Sequence, residues 1–221
     1  MKKLLTILIA FFLISSFFVY IEIGNASGYS VHSPVKIDSN SDFINTAVNE
    51  SWTGSGIEPD PYIIENYEID GGGYDSCVYI GNTTVYFNLK NNKLHNSSSD
   101  GLLLNNVSNG LIYDNNISDN SYRGIFLNNS HHNQILGNNV TQNQRGIWFD
   151  YSDNNTIEDN NVINSSSQGI LFFGESHHNE IVGNEIDGNY IGLQMSIWSR
   201  GNSCDNVIHH NNISNSGGYG I

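Results

Sequence analysis

The chain has 221 residues, enough for one folded domain with its own core. Its 22 acidic residues against 8 basic ones leave a formal net charge of −14, which argues against nucleic acid and against anionic lipid as partners. Only 14% of residues are charged, so the polar surface is carried by Asn, Ser and Gly, and two cysteines are too few for a disulfide framework.

Met1-Lys2-Lys3 precedes the almost wholly apolar run from Leu4 to Ile23, and small residues (Gly24, Ala26, Ser27, Gly28) follow it, which is the layout of an export signal. The run is long for a cleaved signal and close to the ~20 residues that cross a bilayer. Residues 1–27 are therefore read either as a signal peptide or as an uncleaved N-terminal membrane anchor. Both place the remainder outside the cytoplasm, secreted or at the cell surface, with membrane contact through this segment only. Asn-x-Ser/Thr sites at Asn82, Asn96, Asn106, Asn116, Asn128, Asn139 and Asn164 then read as glycan acceptors, although composition alone generates many of them.

Residues 28–75 precede the clear repeats. Trp52 to Gly56, Pro59 to Asn66 and Ile69-Asp70-Gly71 are expected to form an N-terminal cap and first coil, because a stack of strands needs its open end covered. From residue 76 two markers recur. The first is a glycine before an apolar strand, at Gly101, Gly124, Gly146, Gly169, Gly192 and Gly220, with spacings of 23, 22, 23, 23 and 28. The second is an apolar residue, two positions, Asn, any residue, apolar, as in Ile112–Asn115–Ile117 and Ile157–Asn160–Val162. The segments between are short, alternate apolar with polar and end in Asn, Ser, Asp and Gly clusters, so they read as strands and turns with no room for a helix in a unit. Such a period is one coil of a parallel β-helix of six to seven coils, spanning residues 76–221. The sequence stops at Gly220-Ile221 as another strand begins, and the solenoid is read as cut short there.

Register assigns the rows. Val78, Leu102, Ile125, Ile147, Ile170 and Leu193 face inward beside Ile80, Leu104, Leu127, Phe149, Phe172 and Met195. The glycines are placed where the backbone turns sharply or needs positive φ. Asn92, Asn115, Asn138, Asn160, Asn184 and Asn211 are expected to stack as a structural ladder, each amide bonding its neighbours above and below. Cys77 and Cys204 fall about five coils apart, roughly 24 Å at ~4.8 Å per coil, so no intramolecular disulfide is expected.

The stretch from Trp52 to Gly71 followed by Cys77 to Asn82, with later coils such as Asn115-Asn116-Ile117-Ser118, resembles NosD-like right-handed β-helix proteins of the archaeal surface or secreted type. The resemblance covers roughly residues 50–221. It implies an all-β, right-handed, single-stranded parallel β-helix. It also brings in carbohydrate-binding and sugar-cleaving relatives, and a periplasmic accessory protein for a copper site. No residues match an active site of that family.

Three constellations carry candidate chemistry. Ser108, His131, Asp153, His177 and Cys204 share one turn row, beside a row of Asn109, His132, Asn154, His178 and Asp205. In the first row His131, Asp153, His177 and Cys204 are the donor types for Cu or Zn, against the alternative of a solvated turn. Tyr79, Leu103, Phe126, Trp148 and Leu171 form an outward apolar and aromatic stripe, exposed in this reading and suited to stacking on a polysaccharide, or else covered by a loop or partner. Arg123 and Arg145 on adjacent coils, with Asp100 before them and Asp150 and Glu175 after, suit an acidic sugar, although no paired carboxylates converge. The sequence thus points first to a binding or scaffold domain for carbohydrate or another surface protein. A lyase- or hydrolase-type enzyme and a NosD-like copper accessory protein are the alternatives.

Overall fold

The computed structural model describes residues 28–195 and 203–221; the export or anchor segment lies outside them. The chain is a right-handed parallel β-solenoid of three sheets. The broad face stacks Val35–Ile37, Ser76–Thr83, Asp100–Val107, Arg123–Asn128, Arg145–Asp150, Gln168–Phe173 and Ile191–Met195. A second face runs from Tyr62–Glu65 to Val207–His209, and a third includes Tyr67–Asp70 through Asn212–Ser214. Pairing between neighbouring coils is parallel and in register, Leu103 to Phe126 to Trp148 to Leu171 on the broad face.

The two inward rows of the broad face are sealed. Ile80, Leu104, Leu127, Phe149 and Phe172 are fully buried, as are Val78, Leu102, Ile125, Ile147, Ile170 and Leu193. Met195 departs from the expectation and is 38% exposed. The Phe149 and Phe172 rings stack with centres 4.7 Å apart, so aromatic side chains fill the interior layer by layer where aliphatic ones fill it elsewhere.

The corners follow one rule. At most of them a residue with positive φ turns the chain and a buried amide or hydroxyl follows it, whereas Asn66 and Asn106 are followed by Tyr67 and Val107. Asn91, Asp114 and Asp159 precede Asn92, Asn115 and Asn160, while His132, Asn154 and His178 precede Asn133, Asn155 and Asn179. Asn and Asp tolerate the left-handed region better than other non-glycine residues, which is one reason the chain is so rich in Asn. The buried partner is the other reason. Asn138 Nδ2 donates to Asn160 Oδ1 at 3.0 Å, to Ile112 O at 2.9 Å and to Leu136 O at 3.2 Å. Its Oδ1 accepts from Asn115 N and Nδ2 at 3.0 and 2.9 Å. The same pattern runs from Asn92 to Asn211.

Sequence reasoning found one such column. The structure holds three more: Asn133–Asn155–Asn179–Asn206, a column of Ser97, Asn120, Asn143, Ser165 and Asn189, and a serine column through Ser130, Ser152 and Ser176. A helix was also missed. Asn40–Asn49 (α1) is capped by Ser39, whose hydroxyl accepts from Asp42 N at 3.0 Å. Its buried Phe43 and Ala47 lie four apart, and Phe43 packs on Trp52, Tyr62 and Phe87. The cap residue and the spacing from Phe43 to Ala47 were the signal for it.

The stacked glycines have a different cause from the one expected. Gly101, Gly124, Gly146, Gly169 and Gly192 do not have positive φ. A Cβ at Gly146 would overlap Val162 Cγ1 and the carbonyl of Gly169 in the next coil, so close approach of backbone excludes a side chain. Gly146→Ala is therefore expected to lower the unfolding midpoint in urea, by overpacking worth about 1–3 kcal/mol. Asn138→Ala strands several buried backbone and amide partners and is expected to cost about 3 kcal/mol or more, whereas Asn161→Ala, on an exposed strand position, stays within about 0.5 kcal/mol.

Candidate binding face

Three rows project outward from the broad face. One edge carries Ser76, Asp100, Arg123, Arg145 and Gln168; the middle carries Lys36, Tyr79, Leu103, Phe126, Trp148, Leu171 and Gln194; the other edge carries Asn105, Asn128, Asp150 and Phe173.

The middle row is not the open apolar stripe the sequence suggests. Trp148 is 9% exposed and Leu171 is 4% exposed; Tyr79, Leu103 and Phe126 are half-buried. The reason is lateral packing. The rings of Tyr122, Phe126 and Phe173 lie 5.7, 5.8 and 5.5 Å from that of Trp148, and two guanidinium groups cover what remains. The carbon of the Arg123 guanidinium sits 3.6 Å from the centre of Phe126, and that of Arg145 sits 4.7 Å from Trp148 and 4.8 Å from Tyr122.

The two arginines differ in their partners. Arg123 Nε and Nη2 donate to the two carboxylate oxygens of Asp100 at 2.6 and 3.0 Å, and Asp100 is 2% exposed. Arg123 is thus the counter-ion of a buried acid and also part of the aromatic packing. Arg145 donates from Nε to Gln168 Oε1 at 3.0 Å and from Nη1 to Gln144 Oε1 at 3.2 Å. No carboxylate lies within ion-pair distance of Arg145 among the described residues. One guanidinium is therefore held rigidly on aromatic faces without a counter-charge.

Burial pushes the Asp100 carboxyl above its ordinary range, against the pull of Arg123. Burial likewise raises Asp150, with Arg123 opposing, and Asp150 Oδ1 and Trp148 Nε1 are buried atoms with no hydrogen-bond partner. Glu175 is exposed on the turn that follows Phe173.

The turn row of His131, Asp153, His177 and Cys204 does come together along one edge. Asp153 N donates to His131 Nδ1 at 3.1 Å, His177 N to Asp153 Oδ1 at 2.6 Å, and Cys204 N to His177 Nδ1 at 3.1 Å. Each side chain thus accepts from the backbone of the next coil. Burial and neighbouring acids raise the Cys204 thiol, away from the thiolate a metal binds. No group of three His, Cys, Asp or Glu side chains among the described residues is arranged to hold an ion. Cys77, buried and pushed up to about 12 by burial, and exposed Cys204 are both free.

Residues 46–213 match the family model described as right handed beta helix region. The chain belongs to that family. No curated protein matches it. Among solved structures, a double mutant of the periplasmic alginate epimerase AlgG aligns with a TM-score of 0.61 at 19% identity, over 67% of this chain and 38% of the epimerase. An alginate lyase from Paenibacillus sp. str. FPU-7 aligns with a TM-score of 0.52 at 14% identity, over 81% of this chain and 75% of the lyase. This β-helix thus spans well under half the length of the epimerase, and at these identities the likeness is one of fold.

Arg123→Ala leaves the Asp100 carboxylate buried without its counter-ion and is expected to cost about 3–5 kcal/mol at neutral pH, and less in acid where Asp100 is neutral. Because the Asp100 pKa is raised on folding, its contribution to stability is fully present below the ordinary carboxylate range and is lost as pH rises through the higher folded value. Melting temperatures of the wild type and Asp100→Asn measured across acid to neutral pH check this: the wild-type curve falls relative to that of the variant as pH rises.

Proposed function

We propose that this right-handed β-helix is an exported or surface-held binding domain whose broad face takes an acidic polysaccharide. The observation that carries the reading is Arg145, an uncompensated guanidinium fixed over Tyr122 and Trp148 on a chain of net charge −14. Such a chain gains nothing from nonspecific attraction to anions, so a cation held on its broad face with no carboxylate in ion-pair distance marks a local anion site. A guanidinium offers two parallel donors to a carboxylate, and the half-buried rings beside it offer flat apolar surface to a sugar ring.

A second reading is that the same polymer is cleaved or epimerised, and Asp150 favours it. Its carboxyl lies on the same outer face, is raised by burial against the pull of Arg123 and has an oxygen without a partner, which are properties found in groups that transfer protons in a reaction. Polyuronates incubated with the protein would then develop unsaturated or reducing ends, or altered sugar stereochemistry, and Asp150→Asn would stop the change; unaltered polymer removes the reading.

Binding is tested by affinity electrophoresis in gels containing polyuronates, with neutral glucans as controls. Retardation by polyuronate alone is expected, weakened about tenfold in Arg145→Ala, a loss equivalent to about 1.4 kcal/mol, and only partly preserved in Arg145→Lys, which keeps charge but not the planar fork. Equal retardation of the wild type and Arg145→Ala overturns the assignment. Trp148→Ala is unsuited to the purpose, since a side chain this buried reports on stability.

A further inference from the structure

The second face carries a hollow of its own, round the corner from the broad one. It measures about 420 Å³ and opens where the cap segment meets the first coils. The turn from Ile57 to Asp60, closed by Asp60 N donating to Ile57 O at 2.9 Å, brings Glu58 to it. Tyr86 N donates to Gly56 O at 3.1 Å, which holds the cap segment beside the Tyr86 corner. The outward strand positions Asn88, Leu111 and Gln134 line the hollow from three consecutive coils in register, and His132 joins them from an αL corner. The amides of the buried columns are spent on one another, and Asn109 beside the hollow gives its Nδ2 to Thr84 O at 2.9 Å. The side chains of Glu58, Tyr86, Asn88, His132 and Gln134 differ: none makes a hydrogen bond, ion pair or ring contact among the described residues. Tyr86 and Asn88 are half-buried as well. Five polar side chains with unspent bonding capacity therefore meet at one place.

We infer that this hollow on the second face is a separate binding site for a neutral sugar. Neither lysine nor arginine lines it and Glu58 supplies a carboxylate, so an anion is turned away. The choice between a cation and a neutral ligand follows from the donors and acceptors on offer. The amides of Asn88 and Gln134, the phenol of Tyr86 and the imidazole of His132 can each both donate and accept. An ammonium group only donates and would leave their N–H and O–H groups idle. A hydroxyl does both, so a ring bearing several hydroxyls satisfies the whole set. Glu58 accepts from such hydroxyls through charge-assisted bonds, which are the stronger kind. Pro61, Leu111 and the Tyr86 ring supply the apolar surface that the C–H face of a sugar covers. The volume sits at the low end of the roughly 300–1,000 Å³ of small-ligand clefts, which suits about one or two sugar rings. The inference goes beyond polyuronate binding on the broad face and does not depend on it.

Saturation-transfer NMR of the full chain tests this, with cellobiose, maltose and mannobiose as neutral probes and digalacturonate as the acidic one. Saturable transfer to at least one neutral disaccharide is expected, undiminished by excess digalacturonate. Asn88→Ala, Gln134→Ala and Glu58→Ala should each raise the dissociation constant about tenfold, while Arg145→Ala leaves it unchanged. Absence of transfer to all three neutral probes overturns the site. So does wild-type affinity in both amide variants, displacement by digalacturonate, or a loss of affinity in Arg145→Ala, which would move the sugar to the broad face. Circular dichroism of each variant, unchanged from wild type, excludes misfolding as the cause, and the two amide variants lie at separate outward positions so that either alone can report. Failure of this site leaves the broad-face reading untouched, since that reading stands on retardation by polyuronate.

Discussion

Four columns of buried amides and hydroxyls hold this molecule in shape. A coil of some 23 residues must turn repeatedly, and each turn leaves backbone N–H and C=O groups facing inward at a corner where no strand ladder reaches them. An asparagine side chain has a donor group and an acceptor, and stacked on its copy in the next coil it satisfies its own amide, its neighbour's and the stranded backbone at once. The low-dielectric interior makes each such bond strong and each missing one costly, so the columns tolerate serine, which keeps the acceptor, and an apolar residue stands in the serine column at Val107, where only the backbone N–H donates onward to Ser130 Oγ at 3.1 Å. The asparagine-rich composition follows from this requirement together with the left-handed residue that precedes each rung.

With the corners and interior committed to structure, chemistry can vary only on outward strand positions. The broad face uses that freedom unevenly. Asp100 takes Arg123 as its partner and draws it into the protein, where its guanidinium becomes a plate in a stack of rings. Arg145, one coil on, is held by the same rings and by two glutamines but meets no acid. A pair that looks equivalent in the sequence is therefore divided into a structural residue and an available one. The division depends on which coil supplies the carboxylate.

What was legible in the sequence was whatever repeats. The inward spine and the column from Asn92 to Asn211 stand out because the same residue types return at one period. The column from Asn133 to Asn206 repeats equally well, yet it lies two residues beyond His131, Asp153, His177 and Cys204, whose donor types read as a metal row, and the αL corner at His132, Asn154 and His178 carries no single residue type to mark it. Helix α1 was hidden by brevity: ten residues with only Phe43 and Ala47 buried give a faint 3.6-residue signal amid polar neighbours. The burial of Trp148 could not be read at all, since alternation places it outward and it is rings from neighbouring coils and two guanidinium groups that cover it. The glycine column was seen but its cause was not, because steric contact with Val162 and the next backbone is a property of packed coils.

The bonding along each amide column is the same from one rung to the next, and this bears on how such a protein changes over generations. A coil inserted or deleted as a whole unit finds above and below it the same partners as the coil it adjoins, so gene duplication of a single repeat yields a folded chain without redesign of the core. The outward residues of the new coil are then free to diverge. Length and surface chemistry can therefore be selected separately: slippage in the coding repeat sets how far the broad face extends, and point substitution sets what each added coil presents.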